Sequence, residues 1–358
     1  MPLTLSDAVA LAKEEGAPRL TVFRRLALQG EDRRKSEIAL RHVHEEAEQA
    51  LRKAGHEDAA ALLRPLAELR DDPEVARQRH GALAAFLSAD AARIEWLDGV
   101  EAEGAAVGPR FRLAAAWPAV EDAAPLAALV ATQAAAELKM IEPGRVRPIE
   151  AEEMPGSLED FLGPKEIEPH RGGTDRFPGR TWHGTGDSPE QDRREELVNY
   201  AAAVANATQK ALAGSGTPLV IVADEQLHGM LRERLDGYAD LCAEGVTEHP
   251  QELDEARLVE RVRAAARPLR EARRADDQAR LDQALGRGDP ASEDEDEVLA
   301  AAEQGRVDVL FFSVAHAAPL DDPRAARLDA ALACTLANGG RARATAGAEK
   351  PLRALLRY

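Results

Sequence analysis

The sequence predicts an α/β fold spread over three domains. Three observations carry that prediction. Short apolar runs such as "PLVIVAD" and "VDVLFFS" alternate with helical patterns along the second half of the chain, which is the signature of layered helices and sheets. The 358 residues exceed what one hydrophobic core usually holds. An apolar fraction of 44% supports ordinary cores, yet aromatics make up only 4%. Alanine supplies much of the remainder, so the layers should pack closely around few large side chains.

The first domain, 1–118, opens with a helix around Ser6–Glu15 and a strand at Arg19–Phe23. A helix from Lys35 to Ala54 follows, with Leu40, Val43, Ala47 and Leu51 on one stripe and Gly55 as its stop. A second helix covers Glu57–Arg70, and "GALAAFLSAD" and "ARIEWL" read as paired strands before a boundary at Pro118. The second domain, 119–262, begins with strands in "LAALVAT" and "AELKMIEPGRVRPIE", turned at Pro143-Gly144. A loop from Glu168 to Asp192 then interrupts the pattern with Gly, Pro and charge. Loops this long inside a compact domain are working segments or slack chain. A helix from Glu190 to Ala213 follows, with Leu197, Tyr200, Val204, Thr208 and Leu212 on one stripe and Gly214-Ser215-Gly216 at its end. The strand "PLVIVAD" and the helices "EQLHGMLRERL" and "LDEARLVERVRAAARPL" complete the domain.

The third domain, 263–358, starts with an arginine-rich helical stretch, Arg263–Arg287. It breaks at "GRGDPASEDEDE", which reads as an exposed acidic loop. "EVLAAAEQGRVDVLFFS" is helix, turn and strand, "LDAALACTLANGGRARAT" is helix, Gly-Gly stop and strand, and "KPLRALLRY" closes the chain.

The net charge of −18 disfavours diffuse binding to phosphate backbones, where Lys and Arg must replace counterions. It leaves room for a local basic face. Cys242 and Cys334 make neither a disulfide framework nor a zinc set and fit a reducing cytoplasm. The opening "MPLTLSDAVALAKEEGAP" lacks the apolar core of a secretory signal, and the apolar runs are too short to span a bilayer. A cytoplasmic protein with no membrane partner is therefore expected. No cofactor or metal is expected either. The glycines of "GSGTPLVIVADE" precede the strand and lack the Gly-Lys-Ser/Thr ending of a phosphate loop. There is no Gly-x-Ser-x-Gly elbow. His42 and Glu46 share a helix face, but the His-Glu-x-x-His pattern is absent.

Four stretches recur in a meaningful order: the glycine loop with "ELVNYAAAVANATQKAL", then "PLVIVADEQLHGMLRERL", "AAEQGRVDVLFFS" and the terminal "RALLRY". The first carries Asn199, Tyr200, Val204 and Ala205. In this order the chain resembles the archaeo-eukaryotic class-1 release factor and Pelota superfamily. More closely, it resembles the bacterial archaeo-eukaryotic release factor-like branch, whose first domain "HVHEEAEQALRKAGHEDAAALLRPLAELRDD" is also similar to. The resemblance implies a divergent N-terminal domain, a central ribonuclease-H-like domain and a C-terminal Pelota-type α/β sandwich. It implies the ribosome and tRNA as partners, with a translational GTPase docking through the C-terminal domain. It says nothing of oligomeric state.

In superfamily hydrolases a Gly-Gly-Gln loop reaches the peptidyl-transferase centre, where the Gln and its N–H place a water against the peptidyl-tRNA ester. This chain has Gly172, Gly173 and Thr174, which the resemblance makes the catalytic candidates. The Gln is missing, and threonine is shorter and stiff at χ1. Arg171, Arg176, Arg180, Trp182, Arg193 and Arg194 combine cations with an aromatic ring, as suits unpaired bases and phosphates. Glu166, Glu168, Asp175, Asp187, Glu190 and Asp192 are interleaved with them and suit a solvated loop equally well. Three readings stay open: a ribosome-binding factor of rescue or hibernation type that does not turn over substrate, a peptidyl-tRNA hydrolase acting through the glycine loop, and a protein-interaction adaptor not acting on ribosomes. The arginines from Arg257 to Arg287 are an RNA footprint or a solvated helix paired internally with Glu255, Glu260, Glu271, Asp276 and Asp277.

Overall fold

A computed structural model describes residues 3–16, 18–25, 33–56, 60–72, 81–163, 189–345 and 350–358. Numbered along the chain, the first elements are α1 (Leu5–Lys13), β1 (Arg19–Arg25), α2 (Arg33–Lys53), α3 (Ala60–Asp71), β2 (Ala82–Leu87), β3 (Ala92–Leu97), β4 (Gly104–Gly108) and α4 (Trp117–Asp122). Next come β5 (Leu126–Ala131), β6 (Ala136–Glu142), β7 (Arg145–Pro148), α5 (Leu158–Leu162), α6 (Pro189–Leu212), β8 (Leu219–Val222), α7 (Glu225–Leu235) and α8 (Glu255–Arg287). The last are β9 (Ala291–Ser292), α9 (Glu295–Glu303), β10 (Val307–Ser313), α10 (Val314–Ala317), α11 (Pro323–Ala337), β11 (Arg341–Thr345) and β12 (Leu352–Leu356). Three four-stranded sheets with helices against them bear out the α/β class. The chain divides into two compact units, Met1–Ala124 with Arg273–Tyr358, and Pro125–Ala272.

The first unit holds two sheets. One has the order β3-β2-β1-β4, antiparallel throughout. Its strands alternate as a two-faced sheet requires. Leu20, Val22, Leu83, Ala85 and Leu87 pack under α2 and α3 with Leu40, Val43, Ala47 and Leu51, the helical stripe expected from spacing. Phe23, Ala82, Ala84 and Phe86 face the other way. Phe23, Phe86 and Phe111 form an edge-to-face ladder with centroids 5.9 and 5.8 Å apart. Both faces being covered, β2 is buried along its whole length, which explains the unbroken apolar run "ALAAFL".

The second sheet of this unit has the order β11-β10-β12-β9, with β10 and β11 parallel and the other pairs antiparallel. A register shift between Val307 and Val309 lets Val307, Leu310 and Phe312 share one face with α9 and α11. Val309, Phe311 and Leu355 meet Leu281 and Ala284 of α8 on the other. The inner faces of both sheets contribute to a single core, in which Phe23, Phe86 and Trp117 pack with Phe312, Leu328 and Leu332. Asp329 is buried in this core on α11. Its Oδ1 accepts the N–H groups of Leu113 at 2.7 Å and Ala114 at 2.8 Å, two donors that open a 3₁₀ turn at Ala114–Ala116 and would otherwise be orphaned. Pro118 stands in the first turn of α4, where its missing N–H is no loss.

The second unit is one sheet in the order β7-β6-β5-β8. β5, β6 and β7 form an antiparallel meander turned at Pro143-Gly144, and β8 runs parallel to β5, the strand order of a ribonuclease-H-like core. Ala127, Leu129, Leu219 and Ile221 face α6 and α7. Leu126, Ala128, Val220 and Val222 face Leu258, Val262 and Ala266 of α8.

Two expectations change. The acid run Glu293–Glu297 is not an exposed loop. Asp294 is an N-cap whose side chain accepts the N–H groups of Asp296 and Glu297, and Glu295, Asp296 and Glu297 form the first turn of α9. Carboxylates at a helix N-terminus complement its dipole and satisfy its free donors. The arginine-rich stretch and the helix before it are one helix of 33 residues, because strong helix formers fill the join and Pro268 replaces only one ladder donor.

Burial pushes the Asp329 carboxyl up to about 6 from 3.8, against the pull of the Ala114 N–H, Arg112 and the Leu113 N–H. A raised carboxyl stabilises the fold most below its unfolded value and loses that contribution as pH rises through the folded value. Relative to Asp329→Asn, which keeps the acceptor oxygen, the wild type should lose on the order of 3 kcal/mol of unfolding free energy between pH 4 and 7. Urea unfolding of both proteins across that range measures it, and parallel pH profiles would refute it.

Candidate functional site

The expected glycine loop lies in sequence between α5 and α6 of the second unit. Ser157 caps α5 by accepting the Asp160 N–H at 3.0 Å, and Gly163 closes it with φ +68° and ψ −179°, a conformation that favours glycine. The Gly163 N–H donates to the Glu159 carbonyl at 3.1 Å. Two backbone bonds hold the preceding strap to the β5–β6 turn, from Leu158 N–H to Gln133 O at 2.8 Å and from Ala136 N–H to Gly156 O at 3.1 Å. Thr132 shapes that turn, its hydroxyl accepting the N–H groups of Ala134 and Ala135.

Tyr200 joins these parts to α6. It is fully buried, and its hydroxyl donates to the Thr132 carbonyl at 3.0 Å. The ring of Phe161 packs against it at 6.1 Å between centroids. Burial, aided by the charge of Asp160, pushes the Tyr200 hydroxyl up to about 12. It therefore stays a neutral donor through the physiological range. Below it Leu197, Val204, Thr208 and Leu212 are buried on the expected stripe, with the Thr208 hydroxyl bonded back to the Val204 carbonyl at 2.8 Å. Asn199 and Asn206 are exposed, as their spacing suggests. Both roots of the loop thus rest on one packed tyrosine.

Arg171, Gly172, Gly173, Thr174, Arg176, Arg180 and Trp182 lie outside the described residues. Arg193 and Arg194 are exposed on the first turns of α6, beside exposed Asp192 and Glu195. Several arginines of α8 have carboxylate partners outside the helix, besides the internal pairing expected. Arg257 and Arg261 reach Glu248 at 3.1 and 2.7 Å, and Arg274 reaches Glu121 at 3.3 Å. Arg280 meets Asp277 at 3.3 Å and Asp308 at 3.6 Å. Asp277 is buried and also takes the Arg343 guanidinium at 2.9 Å. Packing against sheets on both halves of α8 puts these side chains within reach of acids far off in sequence. Glu46, on the same helix face as His42, pairs with Arg24, and no group of three or more possible metal ligands occurs among the described residues.

The model of bacterial archaeo-eukaryotic release factor family 3 matches residues 127–306, just over half of the chain. The chain belongs to this family. As a release factor family 3 member it is a release-factor-like, translation-associated protein, and the match spans the whole loop stem built on Tyr200. Among solved structures, the family 3 chain is similar to Saccharomyces cerevisiae Dom34, at 12% identity over 100% of this chain and 94% of that one, with a TM-score of 0.39. It is similar to Archaeoglobus fulgidus Pelota at 12% identity over 100% and 93%, with a TM-score of 0.36. It is similar to the archaeal termination factor aRF1 at 14% identity over 99% and 97%, with a TM-score of 0.24. No curated protein matches the family 3 chain.

Tyr200→Phe should cost about 1 kcal/mol by removing the hydrogen bond to the half-buried Thr132 carbonyl, and Tyr200→Ala about 3–5 kcal/mol by opening a cavity. Denaturant unfolding of the two variants distinguishes these values, and equal losses would show that the hydroxyl contributes nothing.

Proposed function

We propose that this chain is a ribosome-binding translation factor, of rescue or hibernation type, that acts by occupancy and does not turn over peptidyl-tRNA. The observation that carries the reading is chemical. A stem fastened through Tyr200 is a rigid base for the loop, while the position where hydrolases of this superfamily carry glutamine holds Thr174. Ester hydrolysis needs a group that sets a water against the carbonyl and donors that meet the developing oxyanion. The threonine hydroxyl sits directly on Cβ, well short of a glutamine amide, so Gly172-Gly173-Thr174 retains the backbone of the device without its reach. Arg171, Arg176, Arg180, Trp182, Arg193 and Arg194 supply contacts to ribosomal RNA or tRNA. The net charge of −18 confines such contacts to the loop region. Docking of a translational GTPase through the C-terminal sheet and its helices belongs to the same reading, as does action in the cytoplasm. Among the described residues no helix is long and apolar enough to cross a membrane.

Co-sedimentation of the full chain with ribosomes should be strong at low salt and fall steeply as salt rises, with peptide release from stalled complexes at background. Thr174→Gln should raise release. Release by the wild type that is lost in Thr174→Ala would establish the hydrolase reading instead, and failure to co-sediment at low salt would favour the adaptor.

A further inference from the structure

In the first unit, β4 is the outer strand of its sheet. It pairs with β1 through Gly104–Gly108, and among the described residues no second strand flanks it. One bridge, Glu103 to Pro319, closes the position just before it. The outer N–H and C=O groups of β4 are therefore open to a further strand. The edge lies at the bottom of a groove of about 550 Å³ between α2 and the Pro319–Asp321 segment. Its own side chains are small, Gly-Ala-Ala-Val-Gly, so nothing on β4 bars the approach of another backbone.

The groove has two charged ends. At the Glu103 end, Arg24 is tied to Glu46 and, at 3.6 Å, to Glu103. At the Gly108 end stands Arg112, with a guanidinium nitrogen 4.0 Å from where a Cβ on Gly108 would lie. The Arg112 side chain is only 14% exposed, and its nearest carboxylate oxygen is Asp329 Oδ2 at 3.9 Å. Among the described residues its Nε is buried with no acceptor. Lys53 lines the same groove two turns beyond Glu46, about 10 Å along α2. The partly exposed Arg112 guanidinium and the exposed Lys53 ammonium both line the groove and call for a carboxylate.

We infer that the outer edge of β4 binds an extended segment of a partner protein as an added strand, with an acidic side chain of that segment set between Arg112 and Lys53. Backbone pairing supplies affinity and the charged end supplies register, the usual division of labour in strand addition. A second copy of this chain does not fit, because its own β4 is recessed in the same way. A nucleic-acid phosphate meets Glu46, Glu103 and Asp321 around the same groove, which disfavours a polyanion.

The probe is a fluorescent, end-blocked pentapeptide, Thr-Val-Glu-Val-Thr, titrated to about 1 mM against the full chain, with amide NMR shifts followed in parallel. Saturable binding with shifts confined to Gly104–Gly108 and its flanking walls is expected. Replacing the peptide Glu by Gln, or Arg112 by Gln, should weaken it about tenfold or more. Lys53→Glu, an exposed change that leaves the core untouched, should weaken it too. N-methylation of alternate peptide amides, in the register that faces β4, should abolish it. The inference fails if no saturable binding occurs, if binding ignores both the Glu and the N-methyl changes, if a peptide offering only a free C-terminal carboxylate or a short RNA competes equally, or if sedimentation shows a dimer that excludes the peptide.

Discussion

The buried carboxylate of Asp329 is the constraint on which the first unit rests. It lies in the core shared by the inner faces of two sheets and receives two backbone N–H groups from a turn more than two hundred residues earlier. Apolar packing alone would leave those donors stranded at a helical start, and an unpaired buried N–H costs about as much as a lost hydrogen bond. The aspartate answers both at once, with Arg112 behind it. Around that point the edge-to-face phenylalanines and the indole of Trp117 set the spacing of the layers.

The second unit is organised by a neutral hydroxyl. Tyr200 holds the β5–β6 turn, and through Phe161 the short helix before the loop, to the long helix after it. Each link is modest alone, and the backbone bonds of Leu158 and Gly156 to the same turn add to them. The glycine at the end of α5 closes that helix with a left-handed φ.

Much of this was legible in the sequence. The stripes of α2 and α6 were, because burial on one face imposes a period that composition cannot hide. The meander around Pro143-Gly144 and the Gly-Gly end of α11 were also legible, since turns demand particular residues. The first turn of α9 was misread although its signal was present. Asp294 followed by three acids is a helix start, but beside Gly-Asp-Pro it resembled a solvated break. Asp329 was not legible at all: one acid in an alanine-rich helix looks like surface until its partners at Leu113 and Ala114 are known. For the arginines of α8 the sequence leaves an RNA footprint and pairing along the helix both open; Arg280 does pair with Asp277 on its own helix, while Glu121, Glu248 and Asp308 meet arginines from outside it. The stem of the candidate site was half legible, with Tyr200 visible in its motif and the Thr132 carbonyl, a main-chain group in a distant turn, hidden.

One core built from both ends of the polypeptide has a consequence for biosynthesis. During vectorial translation Phe23 and Phe86 emerge long before Phe312 and Leu332, so the inner face of the early sheet stays uncovered until those later residues have been made. Pro125–Ala272 has all of its own strands by then and can fold first. The nascent chain must shelter an unfinished apolar surface while its middle third is already compact, which makes the interval before the last helix emerges its most aggregation-prone stage.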